Sequence, residues 1–459
     1  MNNTVFLPIE ITQREYASKL LLAIELIKKG MPVIIGHKGP VIKLALETKE
    51  PGIFFNKGTS AGGFEHTHVL LKQKNFGFVA QDEEAGVTFD NFEDFYINRP
   101  ALRSVNKLDL FFTWGEEEFN FLSEKFGKNI VKNLGGLRSC FWGDFGKKFY
   151  QSNTDSLKKR YGNYILIASN LATYNSSLGK DEDYKKEIKS WGKFWKPEAH
   201  KKLFENEKKI FFQYKELVEF ISKECDKTVI FRPHPSESME VWQDAFKDIK
   251  NVFVKKEGDL LPWILASDFL IQNNCTSAIE ASTVGIPVVT YAEEIEDLKR
   301  LSEGNDNIPN KLSINIFGKK QFFEKMNDIS LIWNKDENKK NREILLKRKL
   351  KDYGTTKAAK NIAQTIIEYA GTPNPKGNEN LGKDSILFDI YELFRFSKLR
   401  PKSSSIILDL NKRGTLSYDK VQKDITHIMG IMKVDKKIKM KRVERNTFYL
   451  YPLELDIEK

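Results

Sequence analysis

Three groups of residues in this chain have types and spacings that could do chemistry. The first is Phe231, Arg232, Pro233, His234 and Pro235, which closes the apolar run Lys227 to Phe231. That run reads as a strand, and ligands in open α/β sheets bind at the carboxyl ends of strands. The His234 imidazole could donate to a phosphate oxygen, and the Arg232 guanidinium could add a planar fork of donors. Pro235 would fix the chain beyond the histidine and, lacking an N–H, limit further pairing. In isolation the same residues would suit a plain strand-end turn with a solvated arginine. Their place in a second Rossmann-like half favours the functional reading.

The second group is Asn273, Asn274, Cys275, Thr276 and Ser277, followed by Glu280. A strand ends at Ile271 and a helix starts near Ser277, so backbone N–H groups there could hold an anion. The two hydroxyls could add donors or simply cap the helix. Glu280 is a candidate for contact with a ribose or base. The third group is Gln81, Asp82, Glu83, Glu84, Ala85 and Gly86. Consecutive carboxylates after a strand repel one another, which should raise at least one pKa and suit a general base. A solvated acidic loop is the plain alternative. Other stretches carry less. Glu65 to His68 could suggest a metal on a strand but reads better as a loop, and Gly58 to Phe64 lacks P-loop spacing. Asp181, Glu182 and Asp183 look solvated, and Trp191 and Trp195 look like helix packing.

The elements that must position these groups alternate. Val5 to Ile9, Met31 to Ile35, Ile53 to Phe55, Phe76 to Ala80 and Leu108 to Thr113 read as strands, with helices over Arg14 to Lys29 and Val41 to Thr48. A second series has strands at Tyr164 to Ala168, Lys227 to Phe231, Val252 to Val254, Phe269 to Ile271 and Pro287 to Tyr291. Its helices cover Phe212 to Cys225, Leu260 to Ala266 and Ser277 to Thr283. The expected fold is therefore α/β of GT-B type, two Rossmann-like domains facing a cleft, plus a C-terminal appendage. Residues 1–155 form the first domain and 156–370 the second, with a helical insertion over 176–206. Residues 371–383 read as a linker and 384–459 as a basic appendage.

Composition sets outer limits. A chain of 459 residues is too long for one core. No leader peptide and no run of about 18 apolar residues stands out, so a cytoplasmic protein is expected. Three scattered cysteines suggest neither disulfides nor zinc. Of the net +11, residues 381–459 carry +6, from 17 Lys+Arg against 11 Asp+Glu. That fits a solvated surface or peripheral contact with the inner face of a membrane, and it argues against one long nucleic-acid groove.

The combination of motifs resembles the bacterial sialyltransferase, polysialyltransferase and Kdo-transferase group of GT-B enzymes. That group carries a D/E-D/E-G motif in the first domain and HP and Ser/Thr motifs in the second. Residues 1 to about 300 also resemble the surface carbohydrate biosynthesis family, through Arg14 and Glu15 before a leucine-rich helix, Gly36, Pro51 to Phe55 with Lys57, and the acidic stretch. Arg99, Trp114 with Gly115, and Gly135 to Arg138 also match. The resemblance implies transfer of an acidic sugar, Kdo or another nonulosonic acid, from a CMP donor to a polysaccharide or lipid-linked acceptor, without a metal or other cofactor. It implies Glu83 as base, with Asp82 and Glu84 beside it. His234, Pro235, Thr276 and Ser277, with Arg232, Asn274 and Glu280, would hold CMP. Arg14, Lys57 and Arg138 would serve the acceptor side. Ala85 departs from the pattern, which has glycine directly after the acidic pair. Two rivals stay open: a CDP-glycerol-dependent glycerophosphotransferase, and a non-catalytic scaffold in capsule assembly.

Overall fold

The computed structural model describes residues 4–58, 63–83, 86–90, 92, 105, 107–177, 197–295, 297, 307–371 and 414–453. The chain forms two compact units, one of residues 1–85, 99–149 and 349–459, the other of 86–98 and 150–348. Each is a Rossmann-like α/β unit of the kind expected from the alternating pattern. The division differs from a simple cut near 155. The helix Lys357–Ala370, expected to belong with the second domain, packs on the first helix of the first unit. Its buried stripe of Ala358, Ala359, Ile362, Ala363 and Ile366 has the spacing of one helix face.

The first unit is built on an eight-stranded sheet. Its parallel core contains β1 (Val5–Ile9), β2 (Val33–His37), β3 (Ile53–Asn56), β4 (Gly77–Gln81), β5 (Leu110–Thr113) and β6 (Val131–Asn133). Most of these strands are buried along their length, as apolar runs covered by helices on both faces must be. The order is β13 (Ile438–Glu444), β14 (Thr447–Pro452), β2, β1, β3, β4, β5 and β6. β13 and β14 come from the stretch expected to be an appendage. They form an antiparallel hairpin, and β14 pairs antiparallel with β2. The chain's C-terminal region is thus part of the first sheet. Gly36 permits this, because a Cβ there would overlap the Asn446 carbonyl and Thr447. The helix Tyr418–Met432 precedes the hairpin and is tied to the first helix by Tyr16 Oη donating to Asp424 Oδ2 at 2.9 Å.

The second unit has six parallel strands: β7 (Tyr164–Ala168), β8 (Thr228–Arg232), β9 (Val252–Val254), β10 (Phe269–Gln272), β11 (Val288–Ala292) and β12 (Ile314–Phe317). Their order is β12-β11-β10-β7-β8-β9, so the first strand of the unit lies between the second and the fourth. That is the Rossmann order, with its switch point between β7 and β10. The ring of Trp242 lies 4.2 Å from those of Phe211 and Phe231, which locks the end of β8 against its covering helices. The helix expected from Phe212 begins at Pro197 and runs to Glu224. Residues 178–196 of the expected insertion, with Asp181 to Asp183, Trp191 and Trp195, lie outside the described residues. So do Glu84, Ala85, Arg99 and residues 372–383 of the linker. Among the described residues no helix is long and apolar enough to cross a membrane.

Candidate functional site

Each unit presents its polar side chains at the carboxyl ends of its central strands. In the second unit, the segments after β7 and β8 meet around Glu237, which is fully buried. Its carboxylate accepts from Ser169 Oγ at 2.9 Å, Leu171 N at 3.0 Å, His234 N at 3.0 Å and Trp242 Nε1 at 2.9 Å. Burial pushes this carboxyl up, and the donors pull against that. Glu237 was not singled out from the sequence. Its position three residues after His234, in the turn that shapes the motif, was the available signal.

This scaffold sets the geometry of His234. The Ser236 N–H donates to Nδ1 at 3.2 Å, so the neutral ring carries its proton on Nε2 and presents a donor there. Asn170 and Asn273 join the ends of β7 and β10: Asn273 Oδ1 accepts from Asn170 N at 2.9 Å, and its Nδ2 donates to Asn170 O at 3.1 Å. Asn274 turns the chain with φ 51°, a left-handed conformation that asparagine tolerates. The helix Ser277–Val284 follows and ends at Gly285, whose φ of 83° suits glycine. Capping does not explain the hydroxyls. Thr276 makes no side-chain cap bond, and Ser277 Oγ is buried with no hydrogen-bond partner among the described residues. Glu280 is buried in the first turn of that helix and acts electrostatically on Arg232.

Arg232 does not reach for a ligand as expected. It is buried, donates to Glu257 O at 2.8 Å and Gly258 O at 2.9 Å, and lies 4.9 Å over the Trp263 ring. Burial lowers its pKa to about 10. Its role is to hold the 257–258 turn, because those carbonyls need donors once β9 has ended.

The loop after β7 has its own titrating anchor. Glu207 is buried and accepts from Thr173 N at 2.7 Å and Tyr174 N at 2.9 Å. Burial raises its carboxyl from 4.5 to about 7, and the Glu237 carboxylate adds to this against the pull of the N–H donors. A raised folded pKa stabilises the protein fully below the unfolded value, and this contribution is lost as pH climbs through about 7. Glu207→Gln is expected to flatten that part of the pH–stability curve, worth about 3 kcal/mol. Thermal melts at pH 5 and 8 check it; a pH dependence equal to wild type would count against the assignment.

In the first unit a charged cluster lies at the ends of β1, β3 and β4. Glu83 is buried, and neither carboxyl oxygen accepts a hydrogen bond among the described residues. Lys19 Nζ stands 3.7 Å from Glu83 Oε1, bonded instead to Glu15 Oε2 at 2.9 Å and Pro8 O at 2.6 Å. The Glu83 pKa is raised, as crowded acids would predict, but the cause differs. Burial dominates; Glu15 adds to it, while Lys19, Arg138 and Lys57 oppose it. Asp82 is buried beside it, and its carbonyl accepts from Trp114 Nε1 at 2.8 Å.

The expected acceptor-side residues have structural duties. Arg138 is buried and donates to the Glu83 carbonyl at 3.1 Å, so it fixes the Glu83 backbone. Lys57 pairs with Glu10 at 2.9 Å, and its own carbonyl accepts from Glu83 N at 3.0 Å. Although burial pushes Glu10 up, Lys57 and Lys38 hold its carboxyl at about 2. Arg14 is half-buried in the first turn of the helix Thr12–Lys28. Residues 63–73 form a helix where a loop was expected, and His68 Nε2 lies 2.8 Å from Lys107 O. Among the described residues no group of three or more His, Cys, Asp or Glu could hold a metal.

No family model matches the chain, and no curated protein matches it. Solved structures with a similar layout include the wall teichoic acid polymerase TagF soaked with CDPG. It is 11% identical with a TM-score of 0.43, over 69% of this chain and 72% of that one. UDP-GlcNAc 2-epimerase of Methanocaldococcus jannaschii, in complex with UDP-GlcNAc and UDP, is 15% identical with a TM-score of 0.46, over 80% and 100%. S. aureus MnaA with UDP is 15% identical with a TM-score of 0.47, over 80% and 96%. The likeness is one of α/β layout alone.

Proposed function

We propose that this protein is a glycosyltransferase that moves an acidic sugar, Kdo or another nonulosonic acid, from a CMP donor to a saccharide or lipid-linked acceptor of the cell surface. The observation that carries the reading is in the second unit. His234, with its Nε2 donor, and Ser277, whose buried hydroxyl has no partner among the described residues, follow the strands on either side of β7. Those strand ends are about 10 Å apart, which a nucleotide phosphate and its sugar can span. Thr276, Asn274 and the N–H groups at the start of the helix would join them on the phosphate, and Glu280 would meet the nucleoside. These donors would stabilise CMP as it leaves. Glu83 would take the proton of the attacking acceptor hydroxyl, since a carboxylate raised by burial is a better base near neutral pH. The CMP and acidic-sugar assignment is supported by the HP and Ser/Thr pairing and by the resemblance to CMP-dependent enzymes.

A donor screen with purified protein tests this. CMP-Kdo, other CMP-nonulosonates and CDP-glycerol are offered, and CMP release is measured. Turnover of a CMP-sugar is expected. Turnover of CDP-glycerol alone would assign the fold to glycerophosphate transfer, and no turnover with no CMP binding would leave a scaffold.

The proposal extends to peripheral contact with an anionic membrane. Residues 433–445 hold seven Lys or Arg against two acidic residues, and Lys439 and Lys441 are exposed on edge strand β13. Charged edges also prevent aggregation, but that needs far fewer lysines. Deleting the region would strip a strand from the sheet, so point changes are the better probe. Lys439→Glu with Lys441→Glu is expected to weaken binding to phosphatidylglycerol vesicles by about 10-fold or more. Unchanged co-sedimentation would remove the idea.

A further inference from the structure

The buried face of the first helix carries two charges one turn apart, Glu15 and Lys19. Both are anchored to the end of β1. Glu15 accepts from Glu10 N at 3.0 Å and Ile11 N at 3.1 Å, and Lys19 donates to Pro8 O at 2.6 Å. They pair with each other at 2.9 Å. Neither side chain can move without leaving a buried partner unsatisfied. Glu83 stands outside this bonding: Lys19 is 3.7 Å away, and no hydrogen bond holds its carboxyl among the described residues.

We propose that Glu15 and Lys19 are positioning residues for Glu83, a fixed ion pair beside its carboxyl that sets when Glu83 gains and loses its proton. The proposal rests on the reading of Glu83 as base. Among the described residues, the charged groups that act on Glu83 include Lys19 and Glu15 from the helix, Lys57 from the segment after β3, and Arg138 from the segment after β6. Burial pushes Glu83 up, Lys19 pulls it down and Glu15 pushes it up again. The members of the pair act with opposite signs because their charges are opposite, so each single variant has its own expected direction.

The test is a titration of the Glu83 carboxyl by carbon-13 NMR in glutamate-labelled protein, its signal identified by loss in Glu83→Gln. Lys19→Met is expected to move the midpoint up by about one pH unit or more, and Glu15→Gln to move it down. Shifts in the same direction, or none, would overturn the proposal. Breaking a buried pair on one side is strongly destabilising, so two gentler variants accompany the singles. Lys19→Arg keeps the charge and should leave the midpoint in place. The double Glu15→Gln, Lys19→Met should raise it, because Lys19 is the stronger influence; an unmoved midpoint in the double overturns the proposal as well. The titration needs no transfer assay. Opposite shifts together with normal transfer by Glu83→Gln would sink the base assignment alone. Absent shifts with an inactive Glu83→Gln would sink the positioning role alone.

Discussion

Glu83→Gln is expected to reduce transfer by about 10²–10⁴-fold while leaving CMP affinity close to wild type. The amide fills the same volume but cannot accept the acceptor's proton. No hydrogen bond to the carboxyl is lost, because none is made among the described residues. The residues proposed to bind the nucleotide belong to the other unit, so the substitution leaves them in place. Folding stability should not fall at alkaline pH. A carboxyl whose folded pKa is raised stabilises fully below its unfolded value and loses that contribution as pH rises through the folded value. A neutral amide escapes the loss, so the variant should melt no lower than wild type at pH 9. Initial rates with the productive donor, alongside melts, check both halves. A variant with full activity would leave Glu83 no role as base.

Ser277→Ala is expected to split stability from binding. The hydroxyl is 1% exposed and unpartnered among the described residues. A buried polar group in that condition costs about 1–3 kcal/mol, so its removal should stabilise the apo protein on that order. If the hydroxyl is kept for a phosphate, CMP affinity and transfer should fall together, by about 10-fold or more for one charge-assisted bond. Gains in stability with losses in function are the usual mark of a group retained for a ligand. A serine that only fills space would give a stable variant with unchanged CMP affinity. Denaturant melts of the apo protein and calorimetry with CMP separate these outcomes.

Much of the fold was legible in the sequence because its strands are buried on both faces. Val5 to Ile9 and Tyr164 to Ala168 are unbroken apolar runs, and the structure makes them strands with the same bounds. Gly285 marked the end of the helix after Ser277, since only a left-handed residue closes it. β6 was missed because Val131–Asn133 holds a single apolar residue. The hairpin of β13 and β14 was missed for a different reason. Its edge strand alternates charged with half-buried positions, so it reads as a basic tail until β2 is seen to lie beside it.

The candidate site was legible in its strand-end motifs and not in its supports. His234, Thr276, Ser277 and Glu83 lie where alternation of strands and helices puts them. Arg232 misled because a guanidinium after a strand can serve a ligand or the backbone, and the carbonyls of Glu257 and Gly258 lie distant in sequence. Glu237 and Lys19 act through contacts that sequence order hides. Lys19 did leave one trace: it is a charge set among Leu20, Leu21 and Leu22, four residues from Glu15, where a helix would bury both.

Calorimetric titration of CMP into wild type and His234→Ala tests whether the ends of β8 and β10 hold a CMP site. Wild type should bind CMP, and His234→Ala should bind it at least about 10-fold more weakly, since a fixed donor to the phosphate is lost. A wild-type protein that does not bind CMP, or a His234→Ala variant that binds it equally well, would contradict the account.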